Sequence, residues 1–395
     1  MIRVGVVGYG ARIQSLTDLM QRLRSGVEIV AVTDIRDEQV KQRLQAGGWD
    51  LADIAFYTDA DKMLDAERLD GVMVGTRCSM HAAMARKVLA RNLPLYLEKP
   101  VATNMQDLLE LRAAAAKSSS EVVVSFPLRL SPMTKLAKEI IDSGQVGTIE
   151  HAQAWNNVPY GGTYYQNWYR DENETQGLFV QKATHDFDYI NYLLGTQPRW
   201  ICAMSSKQIF KGDRPAGLRC DDCQETDSCL ESPFHLYYTR GKRDRVEPSG
   251  LMCAFAADTG NEDSGSALIE YANGMHVCYT QNFFARNKAG KRGARLLGYK
   301  GTIEFDWYTA ELNVYMHHIP RADTYKFDVS MAGHGGGDVI LVDNFLRVVQ
   351  GKQPSLAPLS AGMLSALMCL KAKESAATKT FQEIAYATDG RSATN

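Results

Sequence analysis

The sequence predicts an α/β fold with a doubly wound parallel sheet in its first third, and a second domain behind it. Three observations carry this. From residue 1 to about 126, short β-branched runs alternate with helical stretches; a glycine turn, Gly8 and Gly10, follows the first run; and an acid, Asp34, closes the second. The length of 395 residues exceeds the ~250–300 at which a single hydrophobic core stops growing. Residues 127–395 are therefore read as a second domain.

Taken in order, the candidate strands of the first domain are 2–7, 28–33, 55–57, 71–75, 95–97 and 122–126. Helical segments at 37–45, 79–91 and 105–117 lie between them. Strands that alternate with helices require right-handed crossovers and so a parallel sheet. The first strand runs into Gly8-Tyr9-Gly10-Ala11-Arg12-Ile13. Glycines at this spacing permit a tight turn and let a pyrophosphate approach the backbone at a helix N-terminus. Ile13 stands where the G-x-G-x-x-G fingerprint has its third glycine, so the motif is incomplete, and a glycine turn after any strand looks much the same. Asp34 adds weight, because the fingerprint expects an acid about 20 residues beyond the glycines to bind the ribose hydroxyls. A carboxylate there repels a 2′-phosphate, which favours NAD over NADP; Arg36, two positions on, works the other way.

Composition removes several classes of function. Hydrophobic residues at 45% and charged residues at 23% match ordinary globular usage. A formal net charge of -2 lacks the basic excess of an electrostatic nucleic-acid binder. No apolar run approaches the ~18 residues that span a bilayer. The N-terminus enters a strand pattern directly, with neither a secretory signal nor a twin-arginine pair. Eight cysteines spread over this length do not make a dense disulfide framework. A cytoplasmic protein is expected.

Beyond the fourth strand come Thr76 and His81, and after the fifth comes Glu98-Lys99-Pro100. In this order, with the glycine turn and Asp34, the motifs resemble the Gfo/Idh/MocA oxidoreductases. Further matches run nearly the whole chain: Ser143-Gly144-Gln145-Val146-Gly147, the stretch Trp168…Arg170…Gly177…His185, Gly298-Tyr299-Lys300-Gly301-Thr302 and Gly335-Gly336-Gly337-Asp338. The resemblance implies an NAD-binding Rossmann domain at 1–126 and an α+β domain at 127–395 with an open, mostly antiparallel sheet. That domain would begin with a helix around 134–143. Strands would follow near 149–155, 267–271, 275–283 and 293–298, and helices at 338–349 and 360–377 would pack back on the body. Members often form dimers or tetramers through the open sheet, so a homodimer or homotetramer is expected. Gly8, Tyr9, Gly10, Ala11, Arg12, Ile13, Asp34, Thr76, His81, Glu98 and Lys99 would then meet the cofactor. The resemblance also implies a cis Lys99–Pro100 bond.

Oxidising a secondary alcohol needs a hydride acceptor, a base for the hydroxyl proton and a donor that steadies the oxygen. By resemblance, Lys99 hydrogen-bonds the reacting hydroxyl and His185 takes its proton. Phe179, Ala183, Phe187, Ile190 and Leu194 recur at helical spacing as a buried stripe. Lys182, His185, Tyr189 and Tyr192 share the neighbouring face. Catalytic roles are expected for Lys99, Lys182 and His185, and substrate contacts for these three and Arg170. The chain departs from the family at Gln181, where many sugar dehydrogenases place a carboxylate.

Between about 207 and 248 lies a polar stretch with Cys220-x2-Cys223-x5-Cys229. Three thiols leave a structural zinc one ligand short, which His235 or Cys202 could supply; a long surface insertion with reduced thiols is the plainer reading. The expected function is NAD-dependent hydride transfer at a sugar, sugar derivative or polyol hydroxyl. The alternatives are an NAD-dependent glycosidase working by transient oxidation and a non-catalytic NAD-binding regulator. Lys99 and Lys182, with Arg12, Arg77 and Arg170 in segments near the pocket, suggest an acidic substrate, since clustered cations repel one another unless an anion joins them.

Overall fold

The computed structural model describes residues 1–23, 26–235, 250–328 and 334–386. The expected end of the cysteine-bearing insertion, 236–248, lies outside the described residues. In the first domain β1 (Ile2–Val7), β2 (Val27–Thr33), β3 (Ala55–Tyr57), β4 (Gly71–Val74), β5 (Leu95–Leu97) and β6 (Val122–Val124) form one sheet in the order β3-β2-β1-β4-β5-β6. Every pairing is parallel. β1, β4, β5 and β6 read as nearly unbroken apolar runs because helices cover both faces. The strand order reverses between β1 and β4, and ligands of open α/β sheets bind at the carboxyl ends of the strands there.

The second sheet has nine strands: β7 (Ile149–Asn157), β8 (Pro198–Ser206), β9 (Ser264–Tyr271), β10 (His276–Asn282), β11 (Lys291–Gly298), β12 (Gly301–Asp306), β13 (Glu311–Met316), β14 (Ala322–Lys326) and β15 (Gln382–Glu383). Their order is β14-β13-β12-β11-β7-β10-β9-β8-β15. All neighbours are antiparallel except β7 and β10. Along β9 the buried Ala267, Ile269 and Tyr271 alternate with exposed Ser266, Leu268 and Glu270, the pattern of a sheet with one face packed and one open. Helices Thr184–Leu194 and Leu359–Thr378 lie on the packed face, where Phe187, Ile190, Met368 and Cys369 join its core.

The sheets divide near residue 127, but the cores do not. Leu341, Val342 and Phe345 of helix Gly337–Val349 lie in the first domain's core, as do Ala366 and Leu367 of helix Leu359–Thr378. Met368, Cys369 and Ala372 of that same helix enter the second core. A helix apolar on several sides is a helix buried on several sides, and this one pins the two sheets together.

A polar tie closes the same seam. Arg12 in helix Ala11–Arg22 donates from Nη1 to Asp338 Oδ2 at 3.0 Å and from Nη2 to Asp338 Oδ1 at 2.6 Å. Its Nε donates to Glu98 Oε1 at 3.3 Å. Burial raises the Asp338 carboxyl, but the hydrogen bonds from His334 and Arg12 outweigh it and hold the group down at about 2. The contribution is therefore present above the ordinary carboxylate pKa near 4 and is lost as pH falls toward about 2. Asp338→Asn is expected to cost about 1.5–3 kcal/mol in urea unfolding at neutral pH, with the difference from the parent protein shrinking below pH 4. An unchanged midpoint at neutral pH would contradict the tie.

Candidate active site

The glycine turn has the geometry that a dinucleotide needs. Gly8 sits at φ +83, and a Cβ there would stand 2.8 Å from the backbone of Thr76. The missing third glycine is compensated across the crevice: Ile13 is fully buried and fills the space beside Gly75, where a Cβ would come within 2.2 Å of Ile13 Cγ1. Helix Ala11–Arg22 starts from Gly10 with no side chain capping it, so the N–H groups of its first turn are available to an anion. Asp34 closes β2 and accepts from the backbone N–H of Tyr9 and of Arg36, each at 2.9 Å. Burial would raise its carboxyl, yet these bonds and the Arg36 guanidinium hold it below the usual range. A helix N-terminus for the pyrophosphate and an ionised acid for the ribose together fit NAD.

Several residues expected at the cofactor also have partners within the protein. The ring of Tyr9 is buried, with its hydroxyl 2.8 Å from Thr17 Oγ1, so only its backbone faces the turn. The charge of Arg12 is taken up by Asp338 and Glu98, because the C-terminal helix Gly337–Val349 packs across the crevice. Ala11 is exposed in the first turn. His81 is 2% exposed; its Nδ1 faces the Pro100 carbonyl at 2.8 Å and its Nε2 the Thr76 carbonyl at 3.2 Å. It braces the loop that carries Lys99. The Lys99–Pro100 bond is cis.

Lys99, Lys182 and His185 come together. Lys99 donates to the Gln181 carbonyl at 2.9 Å. Burial, with the charge of Lys182 beside it, pushes its ammonium down to about 8. Lys182 donates to the Tyr160 hydroxyl at 2.7 Å, and burial lowers its pKa too. The buried ring of His185 has no partner at Nδ1. Burial first, then the charges of Lys99 and Arg292, hold it well below the ordinary histidine value, so it is a neutral imidazole at physiological pH.

The sequence placed Lys182 and His185 on one regular helix. Here residues Phe179–Ala183 form a π-helical turn that passes into helix Thr184–Leu194, a local widening frequent at functional sites. Beyond it Tyr189 turns away, donating to the Gly293 carbonyl at 3.1 Å, and Tyr192 stacks against Arg129. Gln181 is buried with its Oε1 unpartnered. Arg170 pairs through Nη2 with Asp258 at 2.6 Å, in the segment that follows the insertion, while its buried Nε and Nη1 have no partner.

Sequence reasoning missed four groups. Asp186, next to His185, accepts from Asn156 Nδ2 at 2.7 Å, the Tyr279 hydroxyl at 2.8 Å and Arg292 Nε at 2.9 Å. Arg292 reaches it because β11 pairs with β7 in the register Arg292↔Asn156. His334 lies 5.9 Å, ring to ring, from His185. Tyr160 stands at the rim; burial would raise its hydroxyl, but Lys182 and Arg292 bring it down to about 8. Asp186 was adjacent to a residue already chosen, but the others depend on strand register and loop path.

In the cysteine-bearing segment an antiparallel bridge pairs Arg219 with Met252. That pairing turns Cys220 and Cys253 to one face. Burial and the neighbouring thiols Cys253, Cys229 and Cys223 push Cys220 up to about 12. A fourth thiol near this group is thus Cys253. Among the described residues no group of three or more His, Cys, Asp or Glu is arranged to hold a metal ion.

The crevice yields a direct expectation. Because Asp34 is ionised and already occupied by Arg36, NAD is expected to bind at least about tenfold more tightly than NADP in calorimetric titration, and Asp34→Ala to narrow the gap. Equal or tighter NADP binding would remove Asp34 from cofactor selection.

Comparison with known proteins agrees with this geometry. Residues 2–126 match the family described as oxidoreductase family, NAD-binding Rossmann fold, and residues 134–304 match the GFO/IDH/MocA C-terminal domain. The chain is 28% identical over 334 residues to YteT of Bacillus subtilis (strain 168), described as an oxidoreductase, with 76% of each covered. It is 28% identical over 197 residues to inositol 2-dehydrogenase of Burkholderia cenocepacia (strain HI2424), covering 49% of this chain and 55% of that one. Among solved structures, a levoglucosan dehydrogenase complexed with NADH and levoglucosan superposes with TM-score 0.77 at 17% identity, covering 97% of this chain and 99% of that one. Myo-inositol 2-dehydrogenase from Lactobacillus plantarum superposes with TM-score 0.71 at 17% identity and the same coverage. Matched in order over both of its domains, the chain belongs to the Gfo/Idh/MocA family and is an oxidoreductase with an NAD-binding Rossmann domain.

Proposed function

We propose that this protein is a dehydrogenase that moves a hydride between NAD and a secondary hydroxyl of a sugar, sugar derivative or polyol. The observation that carries the reading is the meeting of one protonated lysine and one neutral, unpartnered histidine beside the cofactor crevice. NAD, when bound at the glycine turn, supplies the hydride acceptor. His185 accepts the hydroxyl proton at a free ring nitrogen, and Lys99 donates a hydrogen bond to the oxygen as negative charge builds on it. Asp186 holds the helix so that the His185 ring keeps its position. Relatives named inositol 2-dehydrogenase and a structural neighbour named levoglucosan dehydrogenase support a polyol or sugar substrate.

Gln181 favours a second reading. A buried amide replaces the expected carboxylate, which suits NAD-dependent glycoside cleavage, where the hydride returns and no NADH accumulates. Sugars and aryl glycosides assayed for NADH and aglycone together separate the two. The open face of the second sheet, with Trp200, Met204 and Leu268 exposed, supports pairing with a second copy. Native mass spectrometry is expected to give a dimer or tetramer that Leu268→Asp weakens; a monomer at micromolar concentration would refute the pairing.

Lys99→Ala and His185→Ala are each expected to lower turnover by about 10²-fold or more with NAD affinity nearly unchanged. Activity should fall as pH rises through about 8, where the Lys99 ammonium is lost. It should hold down to well below pH 6.5, since His185 stays neutral. Normal turnover in either variant would remove that residue from the mechanism.

A further inference from the structure

Three acids around the reacting centre are taken. Asp186 accepts from Asn156, Tyr279 and Arg292, while Glu98 and Asp338 hold Arg12. Two ammonium groups remain. Lys99 is bonded to a carbonyl and Lys182, 5% exposed, to the Tyr160 phenol, which with a pKa brought down to about 8 is mostly un-ionised at neutral pH. Among the described residues neither forms a salt bridge. The position where a carboxylate was expected is the amide of Gln181, its Oε1 buried and unpartnered. Arg292 Nη2 lies 2.7 Å from Asp186 Oδ1 but out of line for a hydrogen bond, so this buried N–H has no acceptor.

Buried cations of this kind are stable only with a counter-charge or at the cost of their protons. Both lysines are lowered, and Lys99 is lowered partly by Lys182. Sugar hydroxyls can accept hydrogen bonds from them but cannot balance their charge. Of the arginines that the sequence offered to this argument, Arg12 is held by Asp338 and Glu98, and Arg170 pairs with Asp258 through Nη2, with its buried Nε and Nη1 unpartnered. Arg77 stacks on Trp168, 3.8 Å from the ring centre. Arg292 is paired with Asp186 as well, but its charge acts on both Lys182 and Tyr160, so it is the arginine beside Lys182.

From this balance we propose that the substrate is an anionic carbohydrate whose carboxylate or sulfonate group is held by Lys182 and Arg292 near the Tyr160 hydroxyl, while a neighbouring ring hydroxyl meets Lys99 and His185. The proposal rests on the dehydrogenase reading for the second half of that statement only. One planar or tetrahedral oxyacid fits the donors available: the free N–H bonds of Lys182 and the unaligned Nη2 of Arg292. Tyr160 shares its hydrogen bond with Lys182 and acts as a gatepost at the rim.

The test titrates the protein, loaded with NADH, with matched pairs: glucose and glucuronate, galactose and galacturonate, and glucose and its 6-sulfonate. At least one acidic member should bind about tenfold or more tightly than its neutral partner at low salt, with the gap narrowing as salt rises. Lys182→Met should bring the ratio close to one, and Lys182→Arg should restore much of it. Comparison of the carboxylate and sulfonate arms identifies which oxyacid is preferred. Neutral sugars binding as well as acidic ones in every pair, no binding of any acidic sugar up to its solubility, or a full ratio in Lys182→Met would each overturn the proposal. NADH production run beside it separates the two readings. Acid-selective binding without NADH from any sugar defeats the dehydrogenase reading alone; NADH from neutral sugars only defeats the anionic substrate alone.

Discussion

The carboxylate of Asp186 is the constraint on which the candidate active site depends. Side chains from three adjacent strands, Asn156 on β7, Tyr279 on β10 and Arg292 on β11, converge on it. Each bond is buried, and a buried carboxylate left without such partners would be costly. The helix that carries Asp186 is thereby fixed in register against the sheet, and with it His185 and the π-helical turn that presents Lys182. The register of β7 and β11, a property of a sheet distant in sequence, thus decides where His185 points. The first domain supplies the other half through His81, whose ring spans the Thr76 and Pro100 carbonyls and steadies Lys99.

The seam between the halves is built from opposite kinds of interaction. Helix Leu359–Thr378 enters both apolar cores, which gives a tight but undirected contact. Arg12, Glu98 and Asp338 give direction, since a bidentate guanidinium–carboxylate pair accepts only a narrow range of geometries. That tie also leaves Lys99 and Lys182 without carboxylates of their own. Lys99 remains charged near neutrality, and His185 remains neutral, because burial disfavours the charged form of both and the ordinary lysine value starts higher.

Much of the first domain was legible in the sequence because each of its devices is local. The alternating runs, the turn at Gly8 and the acid at Asp34 lie within single strands and loops, and the six strands appear where the pattern put them. Ile13 looked like a defect in the fingerprint; the compensating Gly75 lies on another strand, and only packing reveals the pair. In the second domain β8 and β12 to β15 went unread; β8, β13 and β14 have a face in solvent and so mix polar and apolar residues. Lys99 and His185 could be named from the sequence because short motifs carry them. Arg292, Tyr160 and His334 were not, because their place in the site comes from strand register and chain return. The pairing of Arg170 was hidden for the same reason: nothing near it in sequence announces Asp258.

The central claim is that a carbohydrate carbon gives up its hydrogen to the cofactor within this site, with Lys99 and His185 managing the proton and the oxygen. Incubating the purified protein and NAD with hexoses and hexuronates fully deuterated on carbon, then weighing the recovered dinucleotide by mass spectrometry, tests it most directly. The account predicts a reduced dinucleotide carrying one deuterium, formed by the parent protein and nearly absent with His185→Ala. Recovery of unlabelled dinucleotide from every sugar would contradict it.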